Sequence, residues 1–211
     1  MSDNIPEYNP NHKIGTIRTT ASSRLENGNI FIISAPSGAG KTTLCNAILK
    51  KFPNLQYSIS HTTRKPRTNE SDGVDYFFIT LDEFKQNIQN NTWAEWAHVH
   101  DHFYGTSAEF IDRHLSAGKD ILLDIDVNGA RQILRRYPDS VTIFIMPPTF
   151  ETLLQRLKHR GTDSDEIIAK RLKNAKTEIA QKDFYKHIVV NGSLPEAIEM
   201  LSAIISENQI S

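Results

Sequence analysis

The chain has 211 residues, of which 38% are hydrophobic and 23% charged, and these values are typical of a globular protein with one domain, or one domain carrying an inserted unit. The formal net charge of −1 argues against a general affinity for a nucleic-acid polymer, whereas a nucleotide monomer needs only local positive charge. A single cysteine, Cys45, excludes an intramolecular disulfide, and no membrane span or signal core is recognised, so we expect a cytoplasmic protein without membrane or nucleic-acid partners.

Predicted strands and helices alternate along most of the chain. Residues 1–28 are rich in Asn, Pro, Ser and Thr and predict a disordered leader. Strands are predicted at 29–34, 57–60, 75–79, 93–99, 120–126, 141–146 and 187–191, and helices at 41–51, 81–90, 107–117, 128–136, 149–159, 164–181 and 195–206. This order indicates an α/β fold with a parallel sheet covered by helices. The short extended pieces at 57–106 indicate an inserted subdomain of mixed α+β structure, which leaves 29–56 and 107–211 for the core.

The first predicted strand leads directly into a glycine-rich turn, Ser34-Ala-Pro-Ser-Gly-Ala-Gly-Lys-Thr-Thr43. A strand, such a turn ending in Gly-Lys-Thr, and then a helix form the phosphate-binding loop of many nucleotide-binding proteins. Backbone N–H groups and the helix N-terminus bind phosphate oxygens, Lys41 can reach the β- and γ-phosphates, and the Thr42 hydroxyl can bind Mg²⁺. One position departs from the pattern, because Ala35 stands where a glycine is expected. The predicted ATP-binding residues of this loop are Ser37, Gly38, Ala39, Gly40, Lys41, Thr42 and Thr43.

Two carboxylates, Asp124 and Asp126, lie on one face at the carboxyl end of the strand predicted at 120–126. A carboxylate at the end of an apolar strand is costly unless it meets a cation or hydrogen-bond donors. Asp124 therefore resembles the acidic residue that supports Mg²⁺ in phosphate-loop enzymes, directly or through water. The alternative is a strand that ends there with two solvated carboxylates.

A basic segment, His61-Thr-Thr-Arg-Lys-Pro-Arg67, places two arginines three residues apart. Guanidinium groups bind phosphate in a bidentate manner, so Arg64 and Arg67 suggest a second, phosphorylated substrate. A solvated basic turn remains the alternative.

Three further arginines fall on two consecutive predicted helices. Arg156 and Arg160 are four residues apart on one helical face, Gly161 follows, and Arg171 lies on the next helix. This arrangement suggests a closing lid whose arginines neutralise charge on a transferring phosphoryl group. Surface helices with ordinary salt bridges would give the same pattern.

These segments, in this order, closely resemble guanylate kinase of the bacterial type over roughly residues 29–206. The resemblance implies a P-loop NTPase-type core, a GMP-binding subdomain at 57–106 and a helical lid at about 150–175. It also implies Mg²⁺-dependent transfer of the γ-phosphoryl group of ATP to GMP and dGMP, a step of purine nucleotide metabolism, with a homo-oligomer left open. The matching segments are Ser34–Thr43 as quoted above, Ser60-His-Thr-Thr-Arg-Lys-Pro-Arg67, Gly73-Val-Asp-Tyr-Phe-Phe78, Glu95-Trp-Ala97, Tyr104-Gly-Thr106, Asp124-Ile-Asp126 and Arg156-Leu-Lys-His-Arg-Gly161.

The resemblance also implies which residues contact each nucleotide. Guanine offers N–H donors at N1 and N2, which suit the Glu95 carboxylate, and an acceptor at O6, which suits hydroxyls at Ser60 and Thr106. For the donor nucleotide, Asn191 lies in a segment that resembles the adenine-contacting end, although Gly192 stands where the family often has an acidic residue. The implied GMP-binding residues are Ser60, Arg64, Arg67, Glu70, Tyr76, Glu95, Tyr104, Thr106 and Asp126. The implied catalytic residues are Lys41, Arg156, Arg160 and Arg171.

Three other functions stay open at this point. The same loop could serve a kinase for another nucleoside or a small phosphate ester. A guanylate-kinase-like interaction module would bind phosphorylated peptides without turnover, but such modules typically lose the lysine that is present here as Lys41. A GTPase switch would need an Asn-Lys-x-Asp segment, which this sequence lacks.

Overall fold

The computed structural model describes residues 28–99, 101–159 and 164–209. The predicted leader therefore lies outside the described residues except for Gly28. The strands are β1 (Ile30–Ser34), β2 (Gln56–Tyr57), β3 (His61–Thr62), β4 (Phe77–Phe78), β5 (Trp93–Val99), β6 (His102–Ser107), β7 (Ile121–Asp124), β8 (Val141–Met146) and β9 (His187–Val190). The helices are α1 (Lys41–Lys51), α2 (Leu81–Gln89), α3 (Ala108–Ser116), α4 (Val127–Arg136), α5 (Phe150–His159), α6 (Asp165–Ile179) and α7 (Leu194–Asn208), with a 3₁₀ turn at Lys182–Phe184.

A five-stranded parallel sheet in the order β2-β7-β1-β8-β9 forms the core. Its central strand, β1, has all five residues buried, because its continuous apolar run suits a strand covered by helices on both faces. The loops after β1 and β7 leave the same carboxyl edge of the sheet, where ligands of such folds bind. The predicted α/β fold with a parallel sheet is confirmed.

The two faces of this sheet bury different side chains of β1. Phe31 and Ile33 face α1 and α7, whereas Ile30 and Ile32 face α3 and α4. The alternation follows from the two-residue period of a strand. Each such side chain contributes about 1.5–3 kcal/mol by leaving water, so the two layers hold the carboxyl edge in a fixed position.

A second sheet of four short strands, in the order β4-β3-β6-β5, packs with α2. In its small core Phe84 stacks on Trp93, with ring centroids 4.7 Å apart, and Phe103 lies tilted against Phe84 at 5.3 Å. Strands β5 and β6 form an antiparallel hairpin, and β6 was not among the predicted strands. The structure also pairs Tyr57 with Leu122 in the first sheet, whereas the inserted unit was predicted to start at residue 57.

Helix ends follow from capping side chains. The Ser107 hydroxyl accepts a hydrogen bond from Phe110 N–H at the start of α3, and the Asp126 carboxylate accepts one from Gly129 N–H at the start of α4. Helix α3 ends at Ser116, one residue before the predicted end at 117. These caps fix the first turns of helices that border the second sheet.

None of the helices that the structure describes is long and apolar enough to cross a membrane.

Candidate functional site

The glycine-rich turn after β1 forms a tight loop at the carboxyl edge of the first sheet. Gly38 and Gly40 have φ angles of 92° and 93°, in the left-handed region that side chains with a Cβ rarely adopt. Gly40 is also the N-cap of α1, and a Cβ there would collide with the Asn191 side chain. The loop therefore presents backbone N–H groups and the positive end of α1 to the same space, which is the arrangement that binds phosphate.

Two side chains from distant parts of the chain support this loop. Asn191, buried at the end of β9, donates from Nδ2 to the Ala39 carbonyl over 2.8 Å. Arg156 of α5 donates from Nη2 to the Asn191 carbonyl at 2.8 Å and from Nη1 to the Ala39 carbonyl at 3.3 Å. Asn191, predicted to contact the donor nucleotide, and Arg156, predicted to be catalytic, thus both donate to the Ala39 carbonyl of the loop. An open groove of about 660 Å³ runs beside them, and its lining includes Gly38, Gly40, Thr43, Arg156 and Asn191.

Lys41 forms an ion pair with Asp124 at the end of β7. Burial acts to lower the pKa of the Lys41 ammonium, but attraction to the Asp124 carboxylate outweighs burial, so the pKa of Lys41 is raised and the side chain stays charged. Its Nζ also lies 3.5 Å from the Ile125 carbonyl. A fixed cation at the first turn of α1 is suited to stabilise charge on a phosphoryl group.

Glu95 on β5 is a buried carboxylate, with 5% of its surface exposed. Desolvation raises its pKa to about 7, and nearby Asp126 acts in the same direction, whereas the hydrogen bond from the Thr106 hydroxyl to Oε1, 2.6 Å long, acts to lower it. Within the described residues no cation is paired with this carboxylate in a salt bridge. A buried acid held by a single hydroxyl donor is suited to accept hydrogen bonds from a ligand.

An ion pair between Arg64 and Glu70 orders the basic loop after β3. Arg64 binds Glu70 in a bidentate manner, with both N···O distances 2.9 Å, and Glu70 also accepts from Arg67 N–H at 2.9 Å. The hydrogen bonds from Arg64 and from the Arg67 backbone hold the pKa of Glu70 below its usual value. The Arg64 guanidinium lies 5.4 Å from the ring centre of Tyr76, whose ring meets Tyr104 edge to face at 5.9 Å. The Arg67 side chain remains 76% exposed, so this loop offers one guanidinium over the Tyr76 ring and a second that faces solvent.

A cavity of about 360 Å³ connects the phosphate loop to the second sheet. Residues that the sequence assigned separately to phosphate, metal and acceptor nucleotide meet there. They are Lys41, Thr42, Ser60, Tyr76, Glu95, Tyr104, Asp124 and Asp126. Thr106 contacts the cavity only through Glu95, and the loop with Arg64, Arg67 and Glu70 borders it through Tyr76 and Tyr104.

The remaining predicted residues stand as follows. Ser37 is exposed in the loop and Ala39 is buried, with its carbonyl satisfied as described. Arg171 is half-buried on α6 and is not among the described residues that line the two cavities. Arg160 lies outside the described residues, so its catalytic role stays a prediction.

Four residues near the cavity were missed by sequence reasoning. Tyr57 and Asp75 line it. Gly129 and Gln132 of α4 do not line it but lie next to Glu95 and Trp96 of β5. A glycine inside a helical pattern was the one local signal available, since such a residue usually has a packing reason.

Comparison with known proteins identifies relatives along nearly the whole chain. A sequence profile described as guanylate kinase matches residues 27–208. The chain is 48% identical over 182 residues to a guanylate kinase of Geobacter sulfurreducens, covering 86% of this chain and 90% of the relative. It is 43% identical over 178 residues to a guanylate kinase of Thermotoga maritima, covering 84% and 86%. A crystal structure of guanylate kinase from Anaplasma phagocytophilum superposes with a TM-score of 0.70 at 30% identity and covers 88% of each chain.

Proposed function

The chain belongs to the guanylate kinase family, whose members transfer a phosphoryl group from ATP to GMP, and from this premise we propose how its residues divide that work. ATP binds on the loop at 37–43, GMP binds between the core and the subdomain at 57–106, and the helices at about 150–175 act as a lid. The observation that carries the proposal is the shared cavity. Its walls include both Lys41 of the phosphate loop and Glu95 of the second sheet, so a donor phosphate and an acceptor nucleotide can meet inside it.

Glu95 is proposed to read the guanine base. Its ionised carboxylate accepts from the N1 and N2 donors of guanine, and the Thr106 hydroxyl orients it. Adenine lacks both donors and would leave the buried carboxylate unpaired, which disfavours AMP. Ser60 lines the same cavity and supplies a hydroxyl near O6, and Asp126 also lines it.

The phosphate of GMP is proposed to bind where the basic loop meets the two phenol rings. Glu70 orients Arg64 through two hydrogen bonds, and Arg67 adds a second, exposed cation. The hydroxyls of Tyr76 and Tyr104 complete the site from the cavity wall. This phosphate is largely ionised at neutral pH, so it can attack the γ-phosphoryl group in line without a general base.

Charge neutralisation at the transferring group is proposed to come from Lys41 and the lid arginines. Arg156 already lies against the phosphate loop, and Arg160 and Arg171 would approach when the lid closes. Closure excludes water from the cavity, which limits wasteful hydrolysis of ATP.

The oxygen donors at the phosphate loop fit Mg²⁺. Thr42 and Asp124 face the same cavity, and no cluster of three or more acidic, histidine or cysteine side chains in the described ranges could hold a metal ion by itself. Mg²⁺ is usually held by one or two protein oxygens together with waters and phosphate oxygens, so these two residues, Asp124 through water, are proposed to hold it. When bound there, the metal would neutralise negative charge on the phosphate oxygens of ATP.

A coupled assay of ADP formation tests this function directly. With ATP and Mg²⁺ we expect ADP to form rapidly when GMP or dGMP is added, and only slowly with AMP, UMP, CMP or no acceptor. Excess EDTA should abolish turnover, and added Mg²⁺ should restore it. Equal rates with AMP and GMP would contradict the proposal, and acceptor-independent ADP formation would indicate an ATPase.

The KM for GMP should depend on pH because of Glu95. With a pKa of about 7, this carboxylate is mostly protonated at pH 6 and cannot accept two hydrogen bonds from guanine. We therefore expect the KM for GMP to be about tenfold higher at pH 6 than at pH 8.5, with little change in the KM for ATP. Because the GMP phosphate also titrates near pH 6, the Glu95→Gln variant serves as the control. A wild-type profile no steeper than that of the variant would exclude Glu95 as the titrating group.

A further inference from the structure

Helix α4 approaches the Glu95 carboxylate more closely at Gly129 than a side chain would permit. A Cβ placed on Gly129 would lie 2.8 Å from Glu95 Oε2 and 3.2 Å from its Cδ. The φ of Gly129 is not in the left-handed region, so its backbone does not require glycine. The Glu95 carboxylate can occupy its position only because Gly129 has no side chain.

One turn further along the same helix, Gln132 fixes the backbone next to Glu95. Its Oε1 accepts from Trp96 N–H at 3.2 Å, and its Nε2 donates to the Trp96 carbonyl at 2.9 Å. Strand β5 is the edge of the second sheet, so this amide satisfies backbone groups that have no neighbouring strand. The Gln132 amide therefore supplies the donor and the acceptor that a neighbouring strand would otherwise supply, and it links β5 to α4.

The first turn of α4 is itself fixed. Asp126 caps the helix by accepting from Gly129 N–H over 2.7 Å, and Ile125 Cβ lies 3.4 Å from the position of a Gly129 Cβ. The cap therefore orders the first turn of α4 just after the carboxyl end of β7, and this turn places Gly129 next to Glu95.

We propose that Gly129 and Gln132 are positioning residues that place the Glu95 carboxylate for recognition of the guanine base. This rests on the proposed role of Glu95 and adds to it a specificity seat, defined as Gly129 and Gln132, that lies outside the substrate cavity. The seat joins the core to the second sheet at the one strand that carries the base-reading acid.

The Gly129→Ala variant tests the seat. The added methyl group should displace the flexible end of Glu95, so we expect the KM for GMP to rise about tenfold, while the KM for ATP and kcat at saturating GMP stay near wild type. Because alanine favours helix over glycine, the Tm should not fall. The matched control is Asn128→Ala, an exposed position one residue earlier on α4, which should leave both KM values unchanged. An unchanged KM for GMP in Gly129→Ala, or equal rises in both KM values, would overturn the proposal.

A second variant keeps the test valid if Gly129→Ala folds poorly. Gln132→Met has a similar volume and removes both hydrogen bonds to Trp96, so it should also raise the KM for GMP selectively. If it changes only the Tm, Gln132 has a structural role alone and the seat is refuted.

A double-mutant cycle separates the seat from the proposed function. In the Glu95→Gln background, Gly129→Ala should raise the KM for GMP by less than it does in the wild type, because the recognition it disturbs is already lost. If Glu95→Gln itself leaves the preference for GMP intact, the role of Glu95 fails. If Glu95→Gln lowers that preference but the two substitutions raise the KM for GMP by independent factors, only the proposal of the seat fails.

Discussion

Replacing Lys41 by methionine is expected to lower kcat by about a hundredfold or more, which corresponds to roughly 3 kcal/mol of transition-state stabilisation lost with one essential electrostatic group. The reason is the position of the ammonium group, which is charged at neutral pH and lies in the first turn after the phosphate loop. Methionine keeps most of the length of the side chain but carries no charge. The measurement is steady-state ADP formation at saturating ATP and GMP, with GMP binding checked separately by calorimetry.

The matched control uses the same substitution on the same helix. Lys51 lies in the last turn of α1 and pairs with Glu199 at 3.1 Å in an exposed salt bridge, so Lys51→Met should leave kcat unchanged. Near-wild-type turnover in Lys41→Met would show that the loop does not hold the transferring phosphate as proposed.

Loss of stability must be separated from loss of catalysis in this variant. Lys41→Met leaves Asp124 without its ion-pair partner, and only 14% of that side chain is exposed, so the free energy of unfolding should also fall. The double variant Lys41→Met/Asp124→Asn removes the unpaired charge and should regain stability without regaining turnover. Recovery of turnover together with stability would assign the loss to folding.

The core of the fold and the phosphate loop could be predicted from the sequence because their signals are local. The apolar run of β1, the glycines at 38 and 40 and the following helix are contiguous, and each is dictated by backbone sterics or burial. Asp124 could be placed for the same reason, since it ends an apolar strand. Its pairing with Lys41 follows once two parallel strands share a carboxyl edge.

The second sheet was harder to predict because its signals are not local. The hairpin between β5 and β6 contains Asp101, whose φ is 66°, where a glycine would have marked the turn. The contacts of Gln132 with Trp96 and of Gly129 with Glu95 join residues more than thirty positions apart. No sequence periodicity predicts such pairs, so the contacts that position Glu95 could be identified only from the folded chain.

Replacing Glu95 by glutamine is expected to remove most of the preference for GMP over AMP. The variant keeps the shape of the side chain and an oxygen that accepts from the Thr106 hydroxyl, but its amide presents N–H donors toward the donors of guanine. We expect kcat/KM for GMP to fall by roughly a hundredfold, while that for AMP stays equal or rises, because a buried donor facing a donor is left unpaired. Competition between GMP and AMP at fixed ATP measures the ratio. Glu207→Gln, an exposed change at the end of α7, is the control and should keep the wild-type ratio.

The Glu95→Gln variant should also differ from the wild type in how its free energy of unfolding depends on pH, which a misfolded site would not explain. Because burial raises the pKa of Glu95 from an ordinary value of 4.5 to about 7, the folded wild type holds this proton more tightly than the unfolded chain does. The wild type therefore loses stability as the pH rises from about 4.5 to about 7, whereas Glu95→Gln has no such proton to lose. The difference in unfolding free energy in favour of the variant should grow across that window and stay constant above it, as urea denaturation would measure. Lower selectivity for GMP together with this gain in stability means that the carboxylate is kept for recognition at a cost to the fold, and a variant less stable than the wild type at pH 8 would contradict that conclusion.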